Sequence, residues 1–199
     1  GRIQVLMRQN TLADYDSLRL LDLGDFIGVR GVPIRTRTGQ PTVQAGGWTM
    51  LAKALHAPPE KYHGLADVEL RQRRRYLDLL MNRQTLDRFL FRSRLIKVMR
   101  NTMEAEGFVE IETPVLATKA SGAAARPFVS HHNALDIEVF LRIAPETYLK
   151  RAVVGGFDKV FEFARCFRNE GMDPSHLQDF TMLEYYCAYW NYVDNMRFT

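Results

Sequence analysis

The sequence predicts an α+β protein, with a strand-rich first region and a mixed second region. Three features predict it. Short β-branched runs, separated by turn residues, fill the chain to about Leu55. A helical repeat of apolar residues runs from Thr85 to Glu106. Two strand-like segments, Lys159–Phe167 and Asp179–Tyr189, flank the loop Asn169–Gln178.

Taken in order, Ile3–Met7 reads as the first strand and Phe26–Val32 as the second, the latter loosened by glycine. Arg35–Gln40 reads as a hairpin turn, with Gly39 free to take a positive φ. Val43 and Trp48–Leu51 return from it. These strands suggest a small barrel or sandwich whose first strands are missing. Ala57-Pro58-Pro59-Glu60 then stiffens the chain and marks a boundary between domains 1–57 and 58–199. Val68–Leu80 reads as one helix carrying Arg71, Arg73, Arg74 and Arg75, most simply a solvated face, the competing reading being a contact with nucleic-acid phosphates. On the long helix, Leu86, Phe89, Leu90, Ile96, Met99 and Met103 fall mostly at spacings of three, four or seven, and Gly107 stops it. Phe108–Glu112 is a short strand ended by Thr113-Pro114. Leu135–Ile143 alternates as a strand should. Pro145 suits a first helical turn, and Gly155-Gly156 a stop after Val153.

Composition narrows the function. The chain has 199 residues, 27 Lys plus Arg against 23 Asp plus Glu, and 46% hydrophobic residues. That is globular usage, which excludes a disordered tail. Apolar runs such as Val139–Leu141 are far too short to span a membrane. No charged-then-apolar leader opens the chain, and Cys166 and Cys187 cannot build a disulfide framework or a zinc site alone. A reducing, cytoplasmic setting is expected. The chain opens at Gly1 without a methionine and stops at Phe198-Thr199 inside what reads as a young helix, so it is expected to be an excerpt of a longer protein.

Strand parity locates the chemistry, because residues two apart on a strand share a face. Going in, Cys166, Arg168 and Glu170 share one; coming out, Phe180, Met182, Glu184 and Tyr186 share one. If both look into one cavity, it holds a guanidinium for phosphate or carboxylate, a ring for a base, and a carboxylate that requires a cation. Neither GxxxxGK[ST] nor GxGxxG is present, so nucleotide binding here would rest on an antiparallel sheet.

Phe167-Arg168-Asn169-Glu170, His176 and Phe180-Thr181-Met182-Leu183-Glu184-Tyr185-Tyr186 strongly resemble the second signature motif of class II aminoacyl-tRNA synthetases. Gly107-Phe108-Val109-Glu110-Ile111-Glu112-Thr113-Pro114 resembles their first, which normally builds a dimer interface. Within that class the lysyl-tRNA synthetase family is resembled by Ile143-Ala144-Pro145-Glu146-Thr147-Tyr148-Leu149-Lys150-Arg151, Ala124-Ala125-Arg126-Pro127-Phe128, His131-His132-Asn133-Ala134-Leu135-Asp136 and Tyr76-Leu77-Asp78-Leu79. Pro59-Glu60-Lys61-Tyr62-His63-Gly64-Leu65 fits that family's domain junction. The loop departs from the commoner wording at Leu177-Gln178-Asp179, where Asn-Pro-Glu is frequent.

The resemblance implies a partial OB-fold anticodon-binding barrel over 1–57 and the first part of a class II catalytic domain over 58–199, an antiparallel sheet flanked by helices. It implies a homodimer with Gly107, Phe108 and Pro114 at the interface, and the partners tRNA, L-lysine and ATP. The third motif and any Mg2+ ligands are expected beyond Thr199, so residues 1–199 alone are expected to be weak or inactive. It further implies that Arg168 bridges the substrate carboxylate and the α-phosphate, that Glu170 and His176 approach ATP, and that Phe180 stacks on adenine. Glu184 and Tyr186 would receive the lysine ε-ammonium, and Glu146 the α-amino group, with Gly122 lining that end. A substrate without the ammonium would leave a carboxylate unpaired, at roughly 3–5 kcal/mol.

Plainer readings compete. Phe180 is otherwise a core ring, Arg168 a surface ion-pair residue, and Glu146 an acid near a helix dipole. His131 and His132 lack a metal-ligand pattern and read as structural. The alternatives to a lysine–tRNA ligase are a paralogue that lysylates a protein and a truncated, non-catalytic module that binds tRNA or a partner. The strands before Pro58 argue against the first; an arginine-bearing third motif would exclude the second.

Overall fold

A computed structural model describes residues 2–56, 58, 59, 65, 67–171 and 173–199. Glu60–Gly64 of the expected junction, and Ala57 and Glu60 of the proline joint, lie outside the described residues. The chain forms two compact units, residues 1–90 and 91–199, each described by itself.

The first unit holds a three-stranded sheet in the order β1 (Gln4–Leu6), β3 (Pro41–Ala52), β2 (Phe26–Arg35). β1 runs parallel to β3, and β2 and β3 form an antiparallel hairpin that pairs Arg35 with Pro41. Gly39 has φ +82° in the turn and donates its N–H to Thr36 O at 2.9 Å. Gly31 sits where the register shifts; a Cβ there would lie 2.0 Å from Gln44 O, so only glycine fits. The sheet is open. Three strands cannot close, so the barrel or sandwich expected from this region is not formed by the described residues.

The expected single helix over Val68–Leu80 is two: α1 (Val68–Arg73) and α2 (Arg75–Met81), broken at Arg74 with φ −114° and ψ 57°. Asp67 caps α1 by accepting the Leu70 N–H. Past the break stands Asp78, whose side chain is fully buried. It accepts from Arg71 Nε at 2.8 Å, Arg75 Nη1 at 2.7 Å and Asn82 Nδ2 at 2.6 Å. These bonds, Asn82 foremost, pull its carboxyl down to about 2. Arg73 pairs with Glu69. Three of the four arginines read as a solvated face are thus held by carboxylates. α3 (Arg83–Ala105) follows and ends as expected: Gly107, at φ +82°, and Phe108 donate back to Glu104 O and Met103 O.

The second unit has two three-stranded sheets. One has the order β4 (Val109–Glu110), β8 (Lys159–Phe167), β9 (Asp179–Cys187); the other β5 (Leu116–Ala117), β7 (Ile137–Leu141), β6 (Val129–His132). β9 stops at Cys187, two residues short of expectation, because Ala188 N–H turns back to Asp158 O and Tyr189 takes φ +65°. α4 (Glu146–Val154) starts after Pro145 and stops at Gly155-Gly156. α5 (Tyr192–Phe198) opens with a capping box of Asn191 and Asp194.

The core of this unit is aromatic. Met103, Phe108 and Phe161 are buried together, with Phe163, Leu183, Tyr185, Trp190 and Phe198 packed against them. Phe108 stacks on Phe198 at 5.3 Å and meets Tyr185 and Trp190 edge-on. At 3% exposure its ring is enclosed by its own chain. Pro114 remains exposed. Among the described residues no helix is long and apolar enough to cross a membrane. Both cysteines are free.

Candidate active site

The β8–β9 ladder decides which side chains meet. Its register sets Cys166 opposite Phe180, Ala164 opposite Met182, Glu162 opposite Glu184 and Val160 opposite Tyr186. Directly opposed residues share a face, so Cys166 lies on the same side of the sheet as Phe180, Met182, Glu184 and Tyr186. Phe161, Phe163, Leu183 and Tyr185 point the other way, into the aromatic core.

Arg168 stands just past the end of β8. Its N–H donates to Gln178 O at 2.8 Å across the loop, and its guanidinium lies 5.1 Å from the centre of the Phe180 ring. Its Nε is buried without a hydrogen-bond partner among the described residues. A guanidinium at the wall of a cavity suits an anionic ligand. That cavity, of about 560 Å³, is lined by Arg168, Glu170, Asp173, His176, Leu177 and Phe180 among others. The four residues expected around ATP therefore do converge. Glu170 lies in the loop instead of on the strand, and its Oε1 accepts the Arg126 N–H at 3.4 Å.

His176 is exposed but oriented. Asp173 Oδ2 is 2.6 Å from His176 Nδ1, and Asp173 Oδ1 accepts the His176 N–H at 2.9 Å. The side chain and N–H of Ser175, and then His176, hold the Asp173 carboxyl well below the usual carboxylate range. Nδ1 is thereby occupied, leaving Nε2 as the free edge. The sequence reading missed Asp173 as this orienting group; an acid three residues before a candidate histidine was the available signal.

The other end of the site is acidic. Tyr186 O–H donates to Glu184 Oε1 at 2.7 Å. Burial, and then this carboxylate, push the Tyr186 hydroxyl above its ordinary range, so it stays protonated and stays a donor. Glu146, at the first turn of α4, pairs with Lys150 at 2.5 Å, and the Lys150 ammonium lies 5.6 Å from the centre of the Tyr186 ring. Gly122 has φ +92°, and a Cβ there would be 3.2 Å from Glu146 Cβ. Gly122, Glu146, Glu184 and Tyr186 therefore form one neighbourhood that already holds an ammonium, that of Lys150. The sequence reading gave Lys150 no role. His131 meets Asp136, and His132 Nδ1 accepts the Leu135 N–H, local contacts that fit their structural reading.

A network beneath this face was not foreseen. Arg142 and Glu162 are both buried and pair at 2.7 Å. Arg142 also donates to Arg165 O at 2.8 Å, Thr113 O at 3.0 Å and Thr113 Oγ1 at 2.8 Å, while Thr113 Oγ1 donates to Glu162 Oε2 at 2.7 Å. Two opposed carboxylates, Glu162 and Glu184, would repel; Arg142 neutralises the first and the Tyr186 hydroxyl steadies the second.

The surroundings favour an anion at one end and a cation at the other. Residues 67–199 match the model of the family described as tRNA synthetases class II (D, K and N). The chain belongs to the class II tRNA synthetases. It is 52% identical over 201 residues to a protein named lysine--tRNA ligase from Enterococcus faecalis, covering 100% of this chain and 40% of the relative. Proteins of the same name from Leuconostoc citreum and Dehalococcoides mccartyi are 50% and 54% identical, covering 98% and 100% of this chain. The chain spans about 40% of the length of the curated relatives it matches.

Proposed function

We propose that this chain carries the lysine-activating part of a lysine–tRNA ligase. The observation that carries the reading is Arg168 set over Phe180 on the face that presents Glu184, with an unpartnered guanidinium nitrogen at one end and a tyrosine-supported carboxylate at the other. The names of the relatives support the choice of amino acid.

A carboxylate oxygen of lysine attacks the α-phosphorus of ATP. The bond from that phosphorus to the bridging oxygen of the β-phosphate breaks, giving lysyl-adenylate and pyrophosphate. The terminal ribose hydroxyl of tRNA then attacks the acyl carbon, loses its proton, and AMP departs. The first step needs no general base, because the nucleophile is already ionised. The contribution of the protein is alignment and charge. Arg168 holds the carboxylate against the α-phosphate and Phe180 stacks on adenine. Glu170 lies toward the base, and His176, oriented by Asp173, presents Nε2 to phosphate oxygens. Glu184 and Tyr186 receive the ε-ammonium, and Glu146 the α-amino group once Lys150 gives way. The ATP is read as its magnesium complex. Among the described residues no group of three or more His, Cys, Asp or Glu is placed to hold a metal, so no step is assigned to a metal held by this segment.

Residues 1–57 are read as the later part of an OB-fold that contacts the tRNA anticodon, and 58–199 as the first part of the catalytic domain. The reading includes a cytoplasmic homodimer with Gly107, Phe108 and Pro114 near the interface. The exposed apolar side chains Phe91, Leu95 and Val98 on α3 support such a contact.

The test is amino-acid-dependent ATP–pyrophosphate exchange by the full-length protein with each of the twenty amino acids. Lysine alone should drive it. Exchange driven by another amino acid, and not by lysine, would refute the assignment.

A further inference from the structure

We propose that Arg142 and Glu162 are positioning residues that fix the separation of Glu146 and Arg168, the two groups that hold the α-amino and carboxylate ends of the substrate. The inference rests on the lysine-activation reading and extends it to residues that touch no ligand.

Arg142 is fastened to β8 at two points. Its Nε donates to Arg165 O at 2.8 Å, and its own carbonyl accepts the Phe167 N–H at 2.9 Å. Arg168 is the next residue after that second bond. In the other direction Arg142 leads through Ile143, Ala144 and Pro145, all buried, to Glu146 at the start of α4. One short buried path therefore runs from the strut to each ligand-holding side chain. Thr113 clamps the strut from a third segment, bonding both Arg142 and Glu162.

The energetics point the same way. With exposures of 6% and 4%, this pair has lost most of its hydration, and such pairs contribute little net stability relative to apolar side chains of the same volume. Geometry is what they supply: a guanidinium with donors in fixed directions holds β7 and β8 at one spacing, which an apolar contact would leave loose. A shift of Arg168 against Glu146 moves the carboxylate off its line of attack, and misplacement by about 1 Å costs on the order of 100-fold in rate.

The experiment uses the full-length protein. Wild type is first assayed with all twenty amino acids, and whichever drives pyrophosphate exchange is used for the variants Arg142→Lys and Glu162→Gln. A failure of the lysine reading thus appears in wild type, and a failure of the strut appears in the variants. Competent sites are counted by the burst of adenylate formation, and kcat is expressed per competent site. Arg142→Lys keeps the charge but loses the fixed donor directions, and should lower kcat per site about 30-fold or more. Glu162→Gln, nearly isosteric, should lower it about fivefold, with KM for ATP within about threefold of wild type in both variants. A residue that served stability alone would reduce the number of competent sites and leave each at full speed. Should Arg142→Lys fail to fold, Glu162→Gln decides. A kcat per site within twofold of wild type overturns the proposal.

Discussion

The two faces of the β8–β9 ladder share one backbone and differ in almost every other respect. One face presents Phe161, Phe163, Leu183 and Tyr185 to a shell of aromatic rings. The other presents Glu162, Cys166, Phe180, Glu184 and Tyr186, with Arg168 at its end. Apolar burial on the first is non-directional and tolerant of small shifts. On the second, every charged group has a partner at a specific distance or, like Arg168 Nε, none. The difference teaches that stability and chemistry are separated here by the thickness of one sheet, so substitutions on the two sides should fail in different ways.

The largest expected effect is on the aromatic side. Phe161→Ala should destabilise the full-length protein by about 3–5 kcal/mol, read by urea denaturation, because the ring is fully buried and leaves a cavity. A loss below about 1 kcal/mol would break the contrast. Arg168→Ala, across the sheet, should leave the unfolding midpoint nearly unchanged and slow adenylate formation about 100-fold or more. Near-normal pyrophosphate exchange would remove Arg168 from the site. Glu184→Gln should raise KM for lysine about tenfold or more while shifting KM for ATP less than about threefold, on the scale of a charge-assisted hydrogen bond. Unchanged lysine affinity would take Glu184 out of the pocket.

The smallest effect concerns pH. The Tyr186 pKa is raised in the folded state, so the stability it contributes is complete below the ordinary tyrosine value near pH 10. It is lost as pH rises from there toward the folded-state pKa. Tyr186→Phe should flatten that alkaline limb of the stability curve and weaken lysine binding about two- to tenfold, consistent with one lost hydrogen bond. An alkaline limb identical in both proteins would contradict the buried Tyr186–Glu184 contact.

Much of this was legible because alternation is a local signal. Lys159–Phe167 could be read as a strand from its own residues, and parity then set the face of Glu184 without knowledge of the neighbouring strand. Gly39 and Gly107 announced their turns because both need a positive φ. Other features depend on partners distant in sequence. Arg142 reads as a strand end until Thr113 and Arg165 are brought to it by folding. β5 and β6 are too short, and too exposed, to leave a periodic trace.

The strict pairing of Glu162 with Glu184 limits how this hairpin can vary in length. Adding or deleting a single residue between Phe161 and Phe167 would send the guanidinium and the thiol into the rings and turn phenylalanine outward toward the charged face. Point substitution can tune the charged face step by step, but single-residue indels within these two strands would exchange interior for exterior in one stroke.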